Sequence, residues 1–229
     1  IVERIETLKT KVKVHTKCGN KKELIKGSVA LLAVGIIGNT ENMGLEKIGI
    51  KIENGAILID DYGQTNVTNI FAIGDVTGPP WLAHVASAQG HVAAEKIAGY
   101  PTFPVDYSNI PACTYCQPQV ASLGLTEAQA REAGHQIKVG IFNFHSSGKA
   151  MAMGSTNGFV KIIFEEKYGE LLGCHIIGAE ATELIAELAM AKGLEATWQD
   201  LARTVHAHPT LSEAIMEATL DAFGEAIHQ

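Results

Sequence analysis

No stretch of this 229-residue sequence approaches the roughly 20 consecutive apolar residues a helix needs to cross a bilayer. The longest apolar run, "SVALLAVGIIG", is expected to be a buried strand, apolar on both faces. No secretory signal pattern is present. Cysteine is scarce, with four scattered residues. That is too few for a disulfide scaffold, so a reducing, cytoplasmic setting is expected. An excess of positive charge is lacking too. The formal net charge of −7 argues against the clustered Lys/Arg surface that nucleic acid or an anionic membrane needs. The basic residues concentrate in "KTKVKVHTKCGNKKELIK", alternate with valine or sit at a turn, and read as the solvated face of a hairpin. Also missing is any G-x-G-x-x-G opening a βαβ unit; "GIIG" leads into "NTENMG" rather than a helix. The sequence shows no internal repeat and no low-complexity tract. It opens at Ile1, not Met, in what reads as the middle of a β-meander, so a fragment is expected.

What is present is ordinary for a globular protein: 46% apolar and 19% charged residues. "VERIETLKTKVKVHT" alternates at period two. "KIENGAILID" reads as a hairpin about Asn54-Gly55. "NIFAIGD" reads as a short buried strand, and "PWLAHVASAQGHVAAEKIAG" as a helix stopped by Gly99. "YPTFPVDYSNIP" carries three of the seven prolines and reads as a linker, placing a domain boundary near residue 108. Beyond it, the strands "QVASLGL", "HQIKVGIFNF", "GFVKIIFEE" and "ELLGCHIIG" come with a helix "TEAQAREAG". The long helices "ATELIAELAMAKGL" and "TLSEAIMEATLDAF" follow. This order predicts an α+β unit on an antiparallel sheet.

Three stretches carry candidate chemistry. In "AIGDVTGPPWLAH" a strand ends at Gly74-Asp75 and a helix starts around Trp81. A helix N-terminus attracts an anion or a polar heteroaromatic edge, and Asp75 can accept bonds from sugar-type hydroxyls. Asp75 can equally serve only to cap a turn. In "HAHPTLSEA", Thr210 and Glu213 have capping-box spacing, and Pro209 suits the start of a helix. That accounts for Glu213 but not for His208, which could instead be a general base oriented by the carboxylate. "CTYC" sets Cys113 and Cys116 at redox-pair spacing but precedes a strand, so they read as strand residues, with a surface disulfide the lesser alternative. His206 with His208 suggests a metal, but nothing brings further ligands to them, and no metal is expected.

"TNVTNIFAIGDV", followed by "LAH" and "QG", resembles the second flavin-binding motif of the pyridine-nucleotide disulfide reductases. "HAHPTLSEA" is similar to the C-terminal active-site signature of that family's dihydrolipoamide-oxidising branch. The likeness covers essentially the whole chain. It implies the remainder of a flavoprotein with two dinucleotide-binding domains plus an α+β interface domain. Residues 1–38 would end the NAD domain, 39–107 would form the central FAD-contacting region, and 108–229 the interface (dimerisation) domain. Asp75 would contact the FAD ribitol, and the backbone of Trp81, Leu82, Ala83 and His84 would line the flavin edge. Gly35 would end the last NAD-domain strand, beside the cofactor. His208 would take a thiol proton and Glu213 would fix its ring. The implied reaction is NAD⁺-dependent oxidation of dihydrolipoamide to lipoamide through FAD and a redox disulfide. It would be performed by a homodimer serving 2-oxoacid dehydrogenase complexes or the glycine cleavage system through their lipoyl domains. The redox disulfide and both glycine loops are absent from this chain. It is therefore expected to be a C-terminal fragment, inactive alone and binding FAD weakly or not at all. "GIIGNT" departs from the family pattern, which commonly has Arg and Pro there, and so do the two cysteines of "CTYC". The rival readings are a reductase of glutathione-like disulfides and a non-catalytic dimerisation module.

Overall fold

The computed structural model describes residues 1–228. The chain divides into two units, Ile1–Phe103 and Pro104 onward. In the first, β1 (Val2–Thr7), β2 (Val12–Cys18) and β3 (Lys21–Gly27) form an antiparallel meander with β2 in the middle. Residues 28–38 form no strand, contrary to the expectation from their apolarity, and Leu31 and Val34 are 90% and 85% exposed. A strand apolar on both faces is buried only where neighbours pair with its edges and layers cover it. The first unit gives this segment neither. Gly35 therefore does not end a strand; it lies in the irregular segment at φ 130°.

The hairpin β4 (Ile52–Glu53) and β5 (Ala56–Ile57) closes through Asn54 and Gly55, at φ 50° and 81°. Two successive left-handed residues match the twist of a two-residue hairpin. "NIFAIGD" makes one isolated bridge, Phe71 with Gln64, rather than a strand, because only residues 63–65 pair with it, along one edge. It runs into a 3₁₀ turn, Gly74–Thr77. Helix α1 (Ala83–Ala98) starts two residues after Trp81, because Pro79 and Pro80 lack N–H groups and Leu82 is extended. Gly99 ends it, its N–H and that of Tyr100 bonding back to the Lys96 and Glu95 carbonyls.

The second unit has a five-stranded antiparallel sheet. In chain order its elements are β6 (Ala112–Thr114), β7 (Gln119–Gly124), α2 (Glu127–Glu132), β8 (Ile137–Asn143), α3 (Gly148–Met153), β9 (Phe159–Glu165), β10 (Leu171–Gly178), α4 (Ala181–Gly193), α5 (Trp198–Arg203) and α6 (Glu213–Asp221). Spatial order is β6-β7-β10-β9-β8. Alternation along β9 sends Val160, Ile162 and Phe164 into a core with α4, α5 and α6, and Ile163 to the opposite face, beneath Ala130 of α2. Each fully buried Ile or Phe contributes about 1.5–3 kcal/mol. The antiparallel α+β arrangement predicted from the order of strands and helices is the one observed. Cys113 lies in β6, whereas Cys116 sits in the turn after it and not in a strand; both are free thiols.

Two details set the position of α6. Gly140 of β8 faces it so closely that a side-chain carbon there would overlap the Ala218 carbonyl oxygen. Asp221 Oδ2 accepts the Ile141 N–H at 2.8 Å. Trp198 stacks on Phe223 with ring centroids 4.1 Å apart, tying α5 to the chain just past α6. The loop between α5 and α6, which carries "HAHPT", is thus fixed at both ends.

Candidate functional site

In that loop His208 Nδ1 donates to Glu213 Oε1 at 2.9 Å. The other oxygen, Oε2, accepts the Thr210 N–H at 2.7 Å. The carboxylate selects the tautomer with its proton on Nδ1, leaving Nε2 as a proton acceptor. The His208 side chain is 78% exposed and its partner 27%. Burial opposes ionisation of Glu213, but the Thr210 N–H and His208 outweigh it and hold the carboxyl below its ordinary range.

The capping box suggested by Thr210 and Glu213 is only half formed. Thr210 Oγ1 donates to the Ala207 carbonyl at 2.7 Å, and the residue before the first turn of α6 is Ser212, without a side-chain cap. A complete box does occur at α2, between Thr126 and Gln129. Glu213 therefore pins the loop through the Thr210 N–H and orients His208 with the same carboxylate.

His206 is the loop's anchor. Nε2 donates to Glu187 Oε1 on α4 at 2.8 Å, Nδ1 donates to the Thr204 carbonyl at 2.9 Å, and the side chain is 5% exposed. Two acceptors call for two protons, and the hydrogen bond to Glu187 raises the pKa of the imidazole above its ordinary value despite burial.

A third histidine pairs with α6. His228 Nδ1 donates to Glu217 Oε1 at 2.7 Å, and Glu217 Oε2 accepts the N–H groups of Ile227 and His228. His208, Glu213, Glu217 and His228 line one cavity of about 130 Å³ with Phe142 and Met216.

In the first unit, Asp75 is exposed within the 3₁₀ turn, and α1 begins without a side-chain cap. Trp81 lines a cleft of about 450 Å³ with Ile36, Ile37, Thr77 and Gly78. Leu82 N–H turns back to the Pro80 carbonyl, and Ala83 and His84 open the helix. Among the described residues no group of three or more His, Cys, Asp or Glu side chains is placed to hold a metal ion.

Residues 1–90 match the pyridine nucleotide-disulphide oxidoreductase family, and residues 110–219 match that family's dimerisation domain. The chain belongs to the pyridine nucleotide-disulphide oxidoreductase family. It is similar to the dihydrolipoyl dehydrogenase of Rhizobium etli, 48% identical over 229 residues, covering 99% of this chain and 48% of that protein. The dihydrolipoyl dehydrogenase of Zymomonas mobilis is 51% identical over 202 residues, covering 88% of this chain and 43% of the relative. The chain thus spans about half the length of the curated relatives it matches. Among solved structures, LpdA from Mycobacterium tuberculosis superposes with a TM-score of 0.86 at 27% identity, covering 95% of this chain and 47% of that one. The HOCl-induced flavoprotein disulfide reductase RclA from Escherichia coli gives the same score and identity, covering 96% and 50%.

The sequence motif points to His208 and Glu213 but not to Glu187, Glu217 or His228, and offers His206 only as a metal ligand. Glu217 stands four residues after Glu213, a same-face spacing on a helix. That spacing is the one signal that could have found it. Nothing local marks Glu187 or His228.

Proposed function

We propose that the chain works as the C-terminal part of a homodimeric dihydrolipoyl dehydrogenase, with His208 as the base that takes a proton from the dithiol. The observation that carries this reading is the 2.9 Å bond from His208 Nδ1 to Glu213, on a ring otherwise exposed. A thiol reduces a disulfide as its thiolate, so an imidazole accepting the proton at Nε2 speeds the exchange. Glu213 stabilises the imidazolium that results and prevents the ring from turning.

The residues of the first unit suit a flavin. An exposed carboxylate at Asp75 can accept ribitol hydroxyls, and the uncapped α1 N-terminus, approached through Trp81, Leu82, Ala83 and His84, presents a positive dipole end to the ring edge. Held by these residues, FAD would supply two-electron transfer between the dithiol and NAD⁺. In the same reading Gly35, where the missing side chain leaves open space, lies beside NAD. In this reading residues 1–38 end the NAD domain, 39–107 are the FAD-contacting region and 108–229 the interface domain. The partners are lipoyl domains of 2-oxoacid dehydrogenase complexes or the glycine cleavage system, in a reducing cytoplasm.

The test is NAD⁺ reduction by dihydrolipoamide, measured on the full natural polypeptide with His208 intact and with His208→Gln. Loss of general-base catalysis should lower the rate about 10²- to 10⁴-fold with flavin retained. A rate indifferent to the substitution would leave His208 and Glu213 as loop structure only.

A further inference from the structure

We propose that His228, held by Glu217, is a second proton-accepting imidazole of the same dithiol site. The proposal rests on the dithiol reading above. Its starting point is a repetition on α6. Glu213 and Glu217 lie four residues apart on one helix face, and each gives its Oε1 to a histidine Nδ1, at 2.9 and 2.7 Å. In both pairs Nε2 is left to accept a proton.

The second pair is built rather than incidental. The side chain of Glu217 is 3% exposed, so its carboxylate needs partners, and the returning segment at Ile227 and His228 supplies three. Gly224, at φ 74°, and the bond from Glu225 N–H to the Leu220 carbonyl reverse the chain after α6, bringing Ile227 and His228 back to Glu217. The His228 side chain nevertheless stays 71% exposed. Its carboxylate is buried while its ring is open; in the first pair Glu213 is half-buried and the His208 ring is likewise open.

Both rings line the cavity of about 130 Å³. That is below the usual size of a whole-ligand pocket and suits the reacting end of a longer molecule. Phe142 and Met216 give it apolar, polarisable walls, which favour sulfur. The other titratable groups facing His228 across it are His208, Glu213 and Glu217.

Closing a dithiol to a cyclic disulfide breaks two S–H bonds and releases two protons and two electrons. The oxidant is a disulfide. His208 Nε2 takes the first thiol proton; that sulfur bonds one sulfur of the oxidant, and the other leaves as thiolate. His228 Nε2 takes the second thiol proton. The second sulfur then attacks the first, forming the ring S–S bond and displacing the oxidant's remaining sulfur as thiolate. Two protons thus meet two imidazoles, each with its own carboxylate.

The experiment uses the full natural polypeptide with bound flavin and follows dihydrolipoamide oxidation against pH. His228→Gln should lower kcat/KM about 10²-fold, and the acid limb of log kcat/KM should fall in limiting slope from two to one. Flavin absorbance should be unchanged. Should His228→Gln fail to retain flavin, His228→Gly is compared with and without added imidazole, and rescue by imidazole is expected. A wild-type rate with an unchanged slope, or no rescue, overturns the proposal and leaves Glu217 as an anchor for residues 227 and 228. If His208→Gln is silent as well, it is the dithiol reading itself that has failed.

Discussion

Glu187, midway along α4, holds His206 through a 2.8 Å bond from ring Nε2 to its Oε1, two residues before His208. With Nδ1 facing the Thr204 carbonyl as well, both ring nitrogens meet acceptors, which favours the charged form of the ring. Its folded pKa lies above the unfolded value, so its contribution to stability is fully present below the unfolded pKa and is lost as pH rises through the folded one. His206→Gln should therefore cost about 1.5–3 kcal/mol near pH 5.5, the range for a hydrogen bond to a charged group, and less near pH 8.5. Urea unfolding of both proteins at the two pH values checks this. A penalty independent of pH would mean that the ring acts by packing alone.

Gly140→Ala probes how tightly the site depends on the sheet. The added carbon meets the Ala218 backbone, which cannot rotate away as a side chain would. Overpacking of this kind costs about 1–3 kcal/mol, and relief requires α6 to shift with Glu213 and Glu217 on it. The expected outcome is a lower midpoint of denaturation together with slower dithiol oxidation. Lower stability with a wild-type rate would show that the dyad tolerates movement of its helix.

The second unit was largely legible because its strands bury one face against three helices and its pattern needs no outside partner. β8, β9 and β10 form within the stretches expected to be strands, and α4 and α6 within those expected to be helices. "SVALLAVGIIG" misled because apolarity signals burial only where partners exist, and residues 28–38 have none here. The six-residue α5 was too short to show a period. The motif "HAHPTLSEA" disclosed the pair five residues apart. Glu187 with His206 and Glu217 with His228 are joined across 19 and 11 residues by the packing of α4 against the loop before α6 and of residues 227–228 against α6, which no local pattern encodes.

The four thiols should separate by burial. Cys18 and Cys116 are exposed, Cys113 is half-buried and Cys174 is buried in the sheet core. Desolvation pushes both Cys113 and Cys174 up, Cys174 by far the more, so thiolate is suppressed where access is also poor. Native alkylation followed by mass spectrometry should label Cys18 and Cys116 first, Cys113 slowly and Cys174 only on unfolding. Cys113→Ser with Cys116→Ser should leave dithiol oxidation by the full polypeptide unchanged. A lost rate would mean that "CTYC" is a redox pair after all.

Glu213 has two tasks that a single substitution can separate. Glu213→Gln keeps a carbonyl oxygen for the Thr210 N–H but removes the charge facing His208. The loop should hold, with a stability loss at neutral pH of about 1 kcal/mol. The imidazolium formed on proton transfer loses its counter-charge, so dithiol oxidation should slow far more than stability falls, by about 10²-fold. Because the folded pKa of Glu213 is depressed, the wild-type stability advantage should be present above the unfolded carboxyl pKa and vanish as pH falls through the folded one. Thermal unfolding from about pH 7 down to about pH 3, paired with kcat/KM at neutral pH, reads both tasks at once. If rate and stability fell in proportion, Glu213 would be only the pin that fastens the loop to α6.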